Sequence, residues 1–184
     1  AGTIYSENAV VENCYVSGKF TIDAATPAYI HGEALHYASI IGYSASKQEF
    51  KDLTADVKIV AKGDFGAALT RIGGAIGLHY GKLSNTTNLG SITFEGKIDG
   101  TPMLSGVAHC CTGGMANCTN RGAITANGTF NNNVMASGIS CYGRGTISEC
   151  KNYGDILIET KMKGELCISG FLSRTNSTAI TAEK

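Results

Sequence analysis

Apolar positions along this chain recur at two nested intervals. Ile92 and Phe94, Ile124 and Ala126, and Ile156 and Ile158 are each two residues apart, which is the spacing of one face of a strand. Each pair returns after 32 residues, so Ile92, Ile124 and Ile156 form one column. The same step carries Asn88, Asn120 and Asn152, then Gly90, Gly122 and Gly154, and upstream Gly74, Gly106, Gly138 and Gly170. Further candidate inward columns are Ile72, Leu104, Ala136 and Ile168, then Leu83, Met115 and Ile147, then Thr86, Cys118 and Cys150. Short strands in one repeat cannot bury their own inner faces, so each repeat is expected to stack on the next, with equivalent residues about 4.8 Å apart. The pattern predicts an all-β fold: a right-handed parallel β-solenoid (β-helix) of about five coils with a 32-residue repeat, its hand following the rule for parallel crossovers.

Residues 1–184 read as a single solenoid segment, regular over 70–174 and irregular, with an insertion, over 8–69. VENCYVSGKFTI places Cys14, Gly18, Phe20 and Ile22 in the columns of Cys118, Gly122, Ile124 and Ala126. FKDLTADVKIVA supplies another coil, and the steps from Phe20 through Ile59, Ile92, Ile124 and Ile156 are 39, 33, 32 and 32. The surplus is expected to loop out or form a short helix within TPAYIHGEALHYASIIG, where the repeat is weakest. Both ends fall inside a repeat. They read as cuts through a longer array in a larger protein, or as atypical terminal repeats that are themselves caps.

Gly in the Asn-x-Gly motif is expected to supply positive φ at a solenoid corner, with Asn bonding the turn backbone and stacking in an axial ladder. Asn88, Asn120, Asn152, Gly90, Gly122, Gly154, Gly106, Gly138 and the isoleucine column therefore read as structural. IGGAIGLHYGKLSNTTNLGSI, LSGVAHCCTGGMANCTNRGAI and ASGISCYGRGTISECKNYGDI resemble the GLUG repeats of bacterial surface proteins: a Gly-rich apolar run, a turn, then an Asn-Cys-x-x-x-Gly run. The likeness is good over 70–174 and loose over 8–69, and IIGY at 40–43 matches only in part. It implies a secreted or cell-surface β-solenoid of adhesin or autotransporter type, and it carries over no catalytic residue.

Composition narrows the functional classes. Lys plus Arg and Asp plus Glu both number 15, so no global field gathers nucleic acid. No apolar run is long enough to span a bilayer as a helix. Seven Cys leave at least one thiol unpaired, and the absence of CxxC pairs argues against a zinc ribbon. Cys118 and Cys150 share a column, but parallel side-chain vectors favour a reduced cysteine stack. His109, Cys110 and Cys111 neighbour Cys141 and Tyr142 one coil on, yet alternation is expected to send His109 and Cys110 to opposite faces, away from a metal site. An outward Thr ladder for ice binding begins at Thr21, Thr93 and Thr125 and is broken by Val60 and Leu157. The sequons at Asn85, Asn117, Asn127 and Asn176 fit turn chemistry.

The expected function is an extracellular structural or adhesive module that presents a rigid surface to a glycan or protein, with Arg121, Lys151, Tyr153, Glu95 and Glu159 as candidate binding residues and with no catalytic residue, metal or cofactor. The alternative is a carbohydrate-active β-helix enzyme, a polysaccharide lyase or hydrolase. Glu95 and Glu159 are its best acid pair, but two coils set them about 10 Å apart, slightly beyond the inverting-hydrolase range.

Overall fold

The structure, a computed structural model, describes residues 2–24, 34–67, 69–175 and 182–183. Among these there is no helix, and every strand pairing is parallel. The strands form three sheets that stack as a β-solenoid of about four turns. The broad face holds Glu12–Ala24, Phe50–Asp64, Ile92–Ile98, Ile124–Phe130 and Ile156–Met162, with two-residue strands such as Thr119–Asn120 continuing it. The second face holds Ala34–Ala38, Leu69–Gly73, Pro102–Ser105, Val134–Ser137 and Leu166–Ser169. The third holds Gly2–Ile4, Ile41–Ser44, Ile76–His79, Ala108–Cys111, Ser140–Gly143 and Leu172–Thr175.

Ladder register reproduces the sequence columns. Phe20, Ile59, Ile92, Ile124 and Ile156 are successive partners, as are Ile72, Leu104, Ala136 and Ile168. The irregular intervals have definite places: Ala24 lies beside Gly63 but Ala34 beside Leu69, so four extra residues fall between 24 and 34. A helix is not what fills the weak stretch over its described part. Ala34–Ala38 and Ile41–Ser44 are strands paired with Leu69–Gly73 and Ile76–His79, and residues 25–33 lie outside the described part of the chain.

Two interior clusters occupy each coil. One gathers Phe50, Leu83, Met115, Ile147 and Val107; the other gathers Ile59, Ile92, Phe94, Leu104, Ile124 and Phe130. Between them runs a row of asparagines, buried at Asn88 and Asn120 and half-buried at Asn152. Asn88 Nδ2 donates to Asn120 Oδ1 at 2.8 Å and Asn120 Nδ2 to Asn152 Oδ1 at 2.7 Å, while the same amides donate to the carbonyls of Gly90 and Gly122. The ladder and the turn bonding were both legible in the sequence; the reason for glycine was not. Gly90, Gly122 and Gly154 are absent from the positive-φ positions. They are needed because a Cβ on Gly122 would collide with the Gly90 carbonyl of the coil below, and one on Gly154 with the Gly122 carbonyl. From the opposite wall, a Cβ on Gly106 would collide with the Asn120 amide and the Gly138 carbonyl. The coil is thus pinched to a waist where the corner between second and third faces meets the Asn row.

Left-handed backbone falls in another column, at Asn13, Asp52, Asn85, Asn117 and Glu149. Here Asn117 Nδ2 donates to Asn85 Oδ1 at 2.8 Å and Asn85 Nδ2 to Asp52 Oδ1 at 3.0 Å, so two of the sequon asparagines form an outer ladder. The sequon Asn176 lies outside the described residues.

Two substitutions test this core. Ile124→Asp places an uncompensated charge in a fully buried stack and is expected to cost several kcal/mol, seen as a large fall in the chemical-denaturation midpoint. Asn120→Ala removes the acceptor of one Asn88 N–H and the donor to Asn152 Oδ1 and is expected to cost about 1–3 kcal/mol in the same measurement. An unchanged midpoint in either variant would refute the stacking register or the ladder.

Candidate functional site

Strands of the broad face alternate between buried and open positions, as the Ile124–Phe130 strand does. In the middle coils the second and third faces do not: every residue of Pro102–Ser105 and of Ala108–Cys111 is buried. Leu104 and Ala108 point into the interior clusters, so Met103 and Cys110 must be covered from outside. The waist explains this. By drawing the Gly106 corner inward, it makes the two faces meet at a concave angle and shelter each other's outer side chains. Met103, Met135 and Cys141 form a third buried cluster there, packed with Leu69, Tyr142 and Cys167.

This concave corner contains a cleft of about 320 Å³. Leu69, Arg71 and Met103 line it from the second face, Leu78, His109, Cys110 and Tyr142 from the third, and Tyr80, Thr112 and Arg144 from just past the third-face strands. Ladder register lays these side chains along the solenoid axis. Arg71 and Met103 are partners on the second face, and Leu78, Cys110 and Tyr142 are successive partners on the third. Tyrosine rings extend the third-face wall, with Tyr43 at 6.1 Å from Tyr80 and Tyr5 at 6.2 Å from Tyr43.

The cleft is cationic. Arg71, Arg144 and Arg174 gather at this corner out of four arginines in the chain, Arg174 resting 5.8 Å from the centre of the Tyr142 ring. None of the three is in an ion pair among the described residues, and no carboxylate is among the lining residues. Arg71 is half-buried; its Nη1 lies 3.2 Å from His36 Nε2, and its Nε is buried without a hydrogen-bond partner. Desolvation of a guanidinium without an anion is unfavourable, and burial accordingly lowers its pKa. His109 is 3% exposed and its Nδ1 also lacks a partner. Burial, and then the charges of Arg71 and His36, hold it well below the usual histidine value, so it stands neutral against the edge of Tyr142. Burial raises the Cys110 thiol despite Arg144 and Arg71 nearby, which leaves it a poor thiolate nucleophile.

The expectation that His109 and Cys110 face opposite ways fails. The ladder runs from Ala108 directly to Cys110 and Cys111, breaking alternation at His109; His109 and Cys110 both line the cleft while Cys111 enters the interior. No group of three or more His, Cys, Asp or Glu among the described residues could hold a metal ion. Cys118 and Cys150 are free thiols; the Cys118 thiol is pushed up by its hydrogen bond to Cys150 and by burial.

The sequence-derived candidates lie away from the cleft. Glu95 and Glu159 are exposed on the broad face, both partnered with Asn127 in the coil between them. Arg121 sits 4.9 Å over the Tyr153 ring, and Lys151 is exposed beside them. These residues do not converge on a concavity. No protein-family model, no curated protein and no solved structure matches the chain.

Neutral histidines give the fold a pH dependence. Burial lowers His36 and His79 to about 4, with Arg71 adding to the effect at His36, whereas an unfolded chain titrates near 6.5. Below pH 6.5 the unfolded chain takes up protons that the folded chain refuses, so stability falls as pH drops toward about 4. The melting temperature is expected to decline between pH 6.5 and 4.5. In His79→Phe, which keeps a ring against Phe50, the decline should be shallower.

Proposed function

We propose that this chain is an extracellular binding module that holds a glycan in the cleft between its second and third faces. The observation that carries the reading is the cleft itself, an axial concavity whose walls set Tyr80 and Tyr142 opposite Leu69 and Met103. Flat rings with a polar tip offer C–H faces of sugars an apolar surface and their hydroxyls a hydrogen-bond partner. An extended peptide has less to gain. Both cleft walls belong to strands paired on each side, such as Ala108–Cys111 between Ile76–His79 and Ser140–Gly143, so no free backbone edge invites an added strand. Binding without turnover is expected here, because no carboxylate lines the cleft to serve as acid or base for hydrolysis. Placement on a cell surface, within a larger protein, is supported by the likeness of three successive repeats to GLUG repeats. No helix among the described residues is long and apolar enough to cross a membrane.

The test is retention of the purified chain on immobilised neutral and acidic polysaccharides, with reducing-end release measured in parallel. Retention without release is expected. Tyr142→Ala should weaken it by about tenfold or more, while Arg121→Ala and Tyr153→Ala should leave it unchanged. Retention that follows Arg121 and Tyr153 instead would move the site to the other surface.

A further inference from the structure

We infer that the cleft selects linear polysaccharides bearing a carboxylate or sulfate on alternate sugar units, with Arg71 and Arg144 each taking one anionic group; this rests on the glycan-binding reading above. Three observations lead to it. First, the positive charge is local to the cleft in a chain whose acidic and basic residues balance at 15 each. Arginines concentrate at this corner, and none of them has a carboxylate partner among the described residues. A planar guanidinium presents paired donors that match carboxylate and sulfate oxygens.

Second, Arg71 has unused donor capacity at the cleft: its Nε has no hydrogen-bond partner, and its guanidinium is only half-buried. Buried polar groups normally find hydrogen bonds, and a ligand anion seated against Arg71 would supply an acceptor at this spot.

Third, the spacing fits a polymer. Arg71 is on the coil of Leu78, and Arg144 follows Tyr142 two coils further on, through the partners Leu78, Cys110 and Tyr142. Two coil rises are about 10 Å. One coil rise is close to the length of one pyranose unit in an extended chain, so a polysaccharide lying along the axis places every second unit at an arginine. Arg174, one coil beyond Tyr142, adds a cation at the next unit, outside that alternate spacing.

The test measures binding of the purified chain to a polysaccharide carrying one uronate per disaccharide, to the same polymer after chemical reduction of its carboxyl groups, to a polysaccharide carrying one sulfate per disaccharide, and to polyglutamate. The uronate-bearing or the sulfated polymer should bind about tenfold or more tightly than the reduced polymer, and Arg144→Gln should remove most of that difference. The preferred charged arm identifies the anionic group. Arg144 is exposed, so its variant is expected to keep the parental melting temperature, and the ligand-reduction arm needs no variant at all. Equal binding of native and reduced polymers, still lost in Tyr142→Ala, would overturn the anionic selectivity and leave glycan binding standing. Failure of all the polysaccharides to bind would remove both readings, and tight binding of polyglutamate with the same Arg144 dependence would show that charge alone, and not a glycan, is recognised.

Discussion

The constraint on which this fold depends is the buried amide row at its waist. Asn88, Asn120 and Asn152 each use Nδ2 to bond a glycine carbonyl two residues on, and in the first two the same nitrogen also reaches the next asparagine. A buried amide left unpaired would be costly, so the row is favourable only when successive coils stand in one register. Apolar stacking alone would tolerate slippage, since Ile, Phe and Ala replace one another in neighbouring columns. Hydrophobic burial supplies most of the stabilisation, and the asparagines fix where it is applied.

The same row determines shape. An asparagine spans the interior only because glycine faces it, and glycine at Gly106 and Gly138 lets the opposite corner come in until backbone meets amide. Two lobes of core result, and the outside of the pinch becomes a concave angle. Most cleft side chains are carried on strands hydrogen-bonded on both sides, with Tyr80, Thr112 and Arg144 one residue past the ends of third-face strands, so the walls are set before any ligand arrives and little ordering remains to oppose binding.

The columns of Ile124, Leu104 and Met115 could be read from the sequence because identity repeats where burial repeats. The cleft could not be found in that way. Its lining differs at every coil, with Arg71 and Met103 on one wall and Leu78, Cys110 and Tyr142 on the other. A signal was nevertheless present: PMLSGVAHCC is apolar with little alternation, which is how a strand buried on both faces reads. Strict alternation through His109 hides it, whereas Arg121 and Tyr153, conspicuous in the sequence, lie on an outer surface. The role of glycine was misread for a related reason. A left-handed turn and a backbone contact both demand glycine, and one sequence cannot separate a torsional need from a steric one.

The amide row also has a beginning, and the cleft begins with it. The partner of Asn88 toward the N-terminus is Ala55, the partner of Gly90 is Val57 by the shared ladder, and the partner of Gly73 is Ala38, followed by Ser39 where later coils have glycine. Asn88 Oδ1 is accordingly left buried without a donor. The three coils that carry asparagine are those that supply the cleft lining: Arg71, Leu78 and Tyr80 precede Asn88, Met103, His109 and Thr112 precede Asn120, and Tyr142 and Arg144 precede Asn152. Where the row stops, the interval between coils also lengthens, and other contacts take over, such as Phe50 stacked on His79 at 3.9 Å. A single turn motif therefore acts at both levels. Repeated in register, Asn-x-Gly holds the coils in place and, through the waist it creates, gives them a concave surface on which variable residues can be displayed.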